Sequence, residues 1–211
     1  CPNKGVTCSG EDCGVALLEH YNSWISYCPQ AQGTVTFNPS PSDPNQALTL
    51  EVSGNAPIQR CWSTVNIKKG VLILKSTNYP YFIDTLNIDT RLEIRPEPAG
   101  GIVTLYVNKI ANDRFNGNQF VNSTARPYNF RMYYLGTNTL TLNGTADMQV
   151  ALVAPNATVS VQGNFNYFGA LLARRLLLNG SGKIHYDESL NGSGEIVDTQ
   201  YGLKDLVQLY R

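Results

Sequence analysis

Thr139-Leu-Thr-Leu-Asn-Gly144 is followed by Thr158-Val-Ser-Val-Gln-Gly163, and Leu176-Leu-Leu-Asn-Gly180 repeats the end of the same pattern. The first two copies lie 19 residues apart and the third follows at 17. Ala151-Leu-Val-Ala154 recurs as Ala170-Leu-Leu-Ala173, again at 19, and upstream the pair Val65/Ile67 recurs as Leu86/Ile88 at 21. A unit of 17–21 residues holding two or three short strands, each ending at Gly or Asn, has the size of one β-solenoid coil. Coils stack like residue over like at about 4.8 Å. A β-sandwich also has many short strands, but it predicts no self-similarity at a fixed offset. The expected fold is all-β, a β-solenoid with Leu140, Leu142, Val159, Val161, Leu176 and Leu178 stacked inside.

Outward from this repeat, period-2 alternation continues at Leu48/Leu50/Val52, Leu92/Ile94 and Val103/Leu105/Val107, punctuated by Gly, Asn and Pro. Residues 47–211 therefore read as the solenoid body, and the Pro-rich stretch 38–46 as a linker. Residues 1–46 read as a Cys-rich cap with one helix. Val15, Leu18, Tyr21, Asn22 and Ile25 share a helical face, bordered by Leu17 and Trp24. Glu11 and Asp12 suit its N-terminus, and Pro29 stops it. Its apolar face is expected to dock on the body. The helix is expected to cap one end of the solenoid and the last turn, Leu203 to Tyr210, the other.

Charge excludes whole classes of partner. Lys+Arg and Asp+Glu both total 16, and residues 1–105 hold 7 basic and 9 acidic side chains against 9 and 7 in the rest. So even a distribution makes neither a basic face nor an acidic tail. Charged residues are only 15%, with Asn, Thr, Ser and Gly in their place, the profile of a turn-rich β protein. No stretch approaches the ~18–20 apolar residues of a membrane span. The most apolar run, Ala170 to Leu178, is interrupted by Arg174 and Arg175, so the chain is expected to be soluble.

The five cysteines are Cys1, Cys8, Cys13, Cys28 and Cys61. In an exported protein this reads as a front section stapled by disulfides, with Cys8, Cys13, Cys28 and Cys61 as candidates. One cysteine is left over, and Cys1 at the start also fits a lipid-bearing residue. A zinc site of Cys8, Cys13, His20 and Cys28 is disfavoured by its loose spacing and the lack of a second knuckle. No metal and no cofactor are expected.

The run Val153-Ala-Pro-Asn-Ala-Thr-Val-Ser-Val-Gln-Gly-Asn-Phe-Asn-Tyr-Phe-Gly-Ala-Leu-Leu-Ala173, with Gly180-Ser-Gly-Lys-Ile-His-Tyr-Asp-Glu-Ser-Leu190, resembles a C-terminal region of bacterial type IV pilus-associated proteins of the PilX-like and large minor-pilin-like kind. The resemblance implies an exported β-solenoid presented on a pilus or cell surface. It implies pilus subunits or other surface proteins as partners, adhesive or DNA-uptake roles, and no catalysis. The chain departs from those proteins in lacking a hydrophobic N-terminal pilin helix and in carrying the cysteine-rich front section.

Candidate sites are few. His185-Tyr186-Asp187-Glu188 is the densest group of acid–base side chains, but no nucleophile motif accompanies it, and the expected role is to close a coil end. The acids Asp84, Asp89, Glu93 and Glu97 are too dispersed for the grouped carboxylates of a polysaccharide-active β-helix. No phosphate loop, His-x-x-x-His or Gly-x-Ser-x-Gly occurs. The sequons at Asn122, Asn143, Asn156, Asn179 and Asn191 are better explained by turn geometry than by glycans. Tyr79, Tyr81, Phe82, Tyr128, Tyr133, Tyr134, Tyr167 and Phe168 are expected at turns, exposed, as contacts for glycan or a host or cell-surface ligand. Arg174 and Arg175 are expected to project outward. They are too few to bind duplex DNA more than weakly.

Overall fold

The computed structural model describes residues 32–37, 47–50, 61–76, 80–88, 91–95, 101–116 and 120–191. They form β1 (Gln32–Phe37), β2 (Ala47–Leu50), β3 (Cys61–Ile67), β4 (Val71–Lys75), β5 (Tyr81–Ile88), β6 (Arg91–Arg95) and β7 (Val103–Ile110). Then follow β8 (Arg114–Asn116), β9 (Phe120–Asn122), β10 (Phe130–Tyr134), β11 (Leu140–Gly144), β12 (Met148–Gly163), β13 (Asn166–Gly180) and β14 (Lys183–Tyr186). Every strand pairing is parallel. One sheet runs β1-β3-β5-β7-β10-β12-β11-β8, with β13 beside β12 and β14 beside β13; a second runs β2-β4-β6-β9. Each turn of chain lays its strands on the turn before, so the molecule is an all-β solenoid.

The repeat sets the register. Leu140 pairs with Val159 and Leu142 with Val161, which pair in turn with Leu176 and Leu178, and Ala151 and Ala154 pair with Ala170 and Ala173. Val65 and Ile67 pair with Leu86 and Ile88. Along the row Cys61–Phe82–Tyr106–Tyr133–Val153–Leu172 the coils are 21, 24, 27, 20 and 19 residues long. The longest, from Tyr106 to Tyr133, carries the 3₁₀ turns Ala111–Asp113 and Pro127–Asn129. Pairing also extends upstream of residue 47, since β1 lies beside β3.

The core is the lumen of the coils. Leu140, Leu142, Val159 and Val161 are buried in it with Leu86, Leu105, Phe130 and Leu152. Burying a Val or Leu side chain contributes about 1.5–3 kcal/mol, which the stack repeats coil after coil. The expectation fails for Leu176 and Leu178, which are 42% and 60% exposed. They stand in the last coil, and no described strand pairs with residues 175–180 on their far side. At the corner where each copy of the motif ends, Gly144, Gly163 and Gly180 stack, with φ of 138°, 101° and 143°. A Cβ on Gly163 would sit 2.7 Å from the Gly144 carbonyl oxygen. The close pitch of the coils therefore excludes any side chain there.

The aromatic expectation is corrected. Tyr81, Tyr134 and Tyr167 point into the lumen core, and Phe82 and Tyr133 lie in a second apolar cluster on the outer side of the same sheet. All five are 3% exposed or less. They belong to strands, not turns, and strand alternation sends neighbours such as Tyr81 and Phe82 to opposite faces of one sheet. Tyr128 and Phe168 are half-buried. Tyr79 lies outside the described residues, as do the linker 38–46, the expected N-terminal helix cap, the last turn and Cys1, Cys8, Cys13, His20 and Cys28. Cys61 is buried and disulfide-bonded. Among the described residues there is no α-helix, and none long and apolar enough to cross a membrane.

Candidate functional site

The outer face near the C-terminal end of the solenoid holds a cleft of about 430 Å³, within the usual size of a small-ligand site. Its floor is one row of the ladder. Gln149 in β12 pairs with Phe168 in β13, and Phe168 pairs with His185 in β14. The Phe168 and His185 rings stack with centroids 4.7 Å apart and 14° between planes. Stacked coils place these two rings in register, so the pair is a direct product of the repeat.

Loops supply the walls. Ala125 and Pro127 form one side, on a loop held by Asn122. The Asn122 amide donates to the Arg126 carbonyl at 2.8 Å and the Gln149 carbonyl at 3.3 Å. Its Oδ1 accepts from the Thr124 amide and hydroxyl. Asn129 anchors the far end of the loop by donating to the Gly101 carbonyl at 2.8 Å. Asn122 is therefore a loop anchor, which accounts for its sequon by geometry. Gly169, at φ 135°, lets this wall approach, since a Cβ there would meet the Val150 carbonyl and come within 3.0 Å of the Pro127 side chain. Beneath the floor, the Tyr167 hydroxyl lies 2.8 and 2.9 Å from the Val150 and Ala170 carbonyls. Burial pushes its pKa far above the usual phenol value, so it stays a neutral donor.

Carboxylates rim the cleft: Asp147 on one side, Asp187 and Glu188 on the other. Asp147 accepts from the Asn166 backbone N–H at 3.2 Å and from its side-chain amide at 3.1 Å. Asp187 is set by its own N–H donating to the Gly169 carbonyl at 3.2 Å. Tyr186 closes the rim. Partial burial, then repulsion from Asp187 and Glu188, raises its pKa. The arrangement offers an aromatic platform ringed by hydrogen-bond acceptors. Among the described residues no group of three or more His, Cys, Asp and Glu side chains is placed to hold a metal.

The structure brings Phe168, His185, Tyr186, Asp187 and Glu188 together; sequence reasoning had split them between a binding set and a coil end. It missed Asp147 and Gln149. The offsets were a usable signal, because Gln149, Phe168 and His185 follow each other at 19 and 17 residues, as the core motif does. Two of the dispersed acids fall among the described residues. Asp84 accepts from Asn108 at 3.0 Å, and Glu93 pairs with Arg91 and Arg95 at 3.2 and 2.6 Å; Asp89 and Glu97 lie outside the described residues. Arg174 and Arg175 are both exposed. Arg175 pairs in the ladder with Thr158, because β12 carries two extra residues between Ala154 and Thr158.

A family model described as a domain of unknown function (DUF7305) matches residues 81–193, more than half of the 211-residue chain. No curated protein and no solved structure matches it.

Proposed function

We propose that this chain, which belongs to the DUF7305 family, is an exported, non-catalytic surface module that binds glycan in the cleft around Phe168 and His185. The observation that carries the reading is the stacked Phe168–His185 platform with Gln149, Asp147, Asp187 and Glu188 around it. Flat aromatic faces suit the C–H faces of a sugar ring, and carboxylates and amides suit its hydroxyls. Export is supported by the disulfide at Cys61, since such bonds persist in oxidising compartments. The cysteine-rich front section belongs to the same reading as a stapled cap. Display alongside pilus subunits or other surface proteins rests on the likeness of 153–173 and 180–190 to pilus-associated proteins; those residues include the platform.

The test is a glycan array probed with the full-length protein, followed by titration of the best oligosaccharide. The expected result is binding that weakens about tenfold, roughly 1.4 kcal/mol, in Phe168→Ala, with the sugar recovered intact. Unchanged binding by the variant would overturn the site. Shortened sugar products would move the reading to a polysaccharide-active enzyme, which the three rim carboxylates favour.

A structural filament subunit is a second reading. It is favoured by the apolar last coil, where Leu176, Leu178, Ile184 and Tyr186 are 42%, 60%, 37% and 38% exposed. A sheet edge of this kind is a template for further strands. Light scattering showing growth with concentration, abolished by Leu178→Glu, would support it.

A further inference from the structure

The outer cleft carries a charge that the chain as a whole does not. Acids and bases balance at 16 each over 211 residues. Yet three of the nine residues lining the cleft are Asp147, Asp187 and Glu188, and none is Lys or Arg. Tyr186 stands within their reach. Partial burial is the first cause of its raised pKa, and the charges of Asp187 and Glu188 add to the rise. A cleft lined by one sign of charge gathers ligands of the other sign and turns away its own.

The nearest described cations stand outside the lining. Arg126 is exposed between the wall residues Ala125 and Pro127. Lys183 pairs in the ladder with Asn166, and Asn166 donates its N–H and its side-chain amide to Asp147. Asn166 therefore stands between Lys183 and Asp147. Among the described residues neither Asp147 nor Glu188 is paired with a Lys or Arg. The Ala125 wall is fixed. Ala125 sits at φ 52°, a left-handed conformation uncommon for a residue with a Cβ, and its N–H donates to the Asn122 carbonyl at 3.0 Å. Strained backbone of this kind collects at ligand clamps.

Resting on the glycan reading above, we infer that the cleft selects amino sugars carrying a free ammonium group and rejects sugar acids. The sugar packs against Phe168 and His185, and its ammonium group donates to the rim carboxylates. Hydrogen bonds between two charged groups are stronger than those a neutral hydroxyl makes. N-acetylation of the sugar removes the charge and leaves an amide donor, so the cleft reads the acetylation state of its glycan. A uronic acid brings a fourth carboxylate to a lining that offers no Lys or Arg to meet it.

The test titrates the full-length protein with tetramers of glucosamine, N-acetylglucosamine and galacturonic acid, and with tetralysine as a cation that is not a sugar. At about 0.05 M salt the glucosamine tetramer is expected to bind about five- to tenfold tighter than its N-acetylated form. The margin is expected to shrink at about 0.5 M salt, and galacturonate and tetralysine are expected to bind more weakly than either amino sugar. In Asp147→Asn/Glu188→Gln the ratio between the glucosamine and N-acetylglucosamine tetramers is expected to fall towards one. Should that variant fail to fold, Glu188→Gln alone, at an exposed position, is expected to lower the ratio in part. Equal or tighter binding of the N-acetylated or acidic tetramer, or a ratio that the variants leave unmoved, overturns the inference while the glycan reading stands. Tetralysine binding as tightly as the glucosamine tetramer overturns it in favour of a cationic peptide. Absence of binding to any oligosaccharide overturns both the inference and the glycan reading.

Discussion

Gly163 and the buried tyrosines show how single positions carry this fold. With φ at 101° and the Gly144 carbonyl 2.7 Å from where a Cβ would sit, Gly163→Ala must both strain the backbone and push two coils apart. The expected loss is about 1–3 kcal/mol, read as a lowered urea midpoint. Tyr133 and Tyr134 give a pH signature. Burial pushes both pKa values up to about 12, with Arg131 opposing the shift at Tyr133 and Asp113 adding to it at Tyr134. Each phenol ionises more readily in the unfolded chain, whose value is 10.0. Their stabilisation is therefore complete below pH 10 and is lost as pH rises from about 10 to about 12, at up to roughly 1.4 kcal/mol per pH unit for each group. Melting temperatures across pH 8–12 are expected to be flat at first and then fall steeply. A Tyr133→Phe/Tyr134→Phe variant is expected to lose less over that range.

Coil position decides what a leucine is worth. Leu140→Ala, at a site with no exposure, is expected to cost about 2–5 kcal/mol. Leu178→Ala, two coils on in the neighbouring stack of Leu142 and Val161 and 60% exposed, is expected to stay within about 0.5 kcal/mol. Denaturant unfolding of the two variants checks the difference. The same contrast shows where the sequence was legible. From Leu140 to Leu178 the loops are short and the offset stays at 19 and 17, so both repeat and register were readable. Between Phe82 and Tyr133 the offsets stretch to 24 and 27, and the period disappeared. Alternation placed Val103, Leu105 and Val107 in the lumen but said nothing of the outer side, where Phe82, Tyr106 and Tyr133 meet a second layer. Phe82 and Tyr133 were therefore read as exposed. The platform was half legible, since Phe168 and His185 keep the offset of 17. Asp147 was not, because its place depends on hydrogen bonds to Asn166 across 19 residues.

At the scale of the whole molecule, equal numbers of acidic and basic residues leave no field to gather polyanions. Arg174 and Arg175 are exposed on the last coil, yet steep salt-dependent DNA binding takes about six to ten phosphate contacts. A fluorescence titration with duplex DNA at about 0.15 M salt is expected to show weak or no binding. Sub-micromolar affinity lost in Arg174→Ala/Arg175→Ala would instead favour DNA uptake. On the proposed reading, a solenoid with an apolar, filled lumen recognises its ligand at the outer cleft near its C-terminal end. Titration of the best array oligosaccharide, followed by NMR of the aromatic and methyl groups, tests it most directly. The account predicts shifts confined to Phe168, His185, Tyr186 and their neighbours around Pro127. Shifts centred on the Phe82–Tyr106–Tyr133 row or on the last-coil leucines, with the Phe168 and His185 signals unmoved, would contradict it.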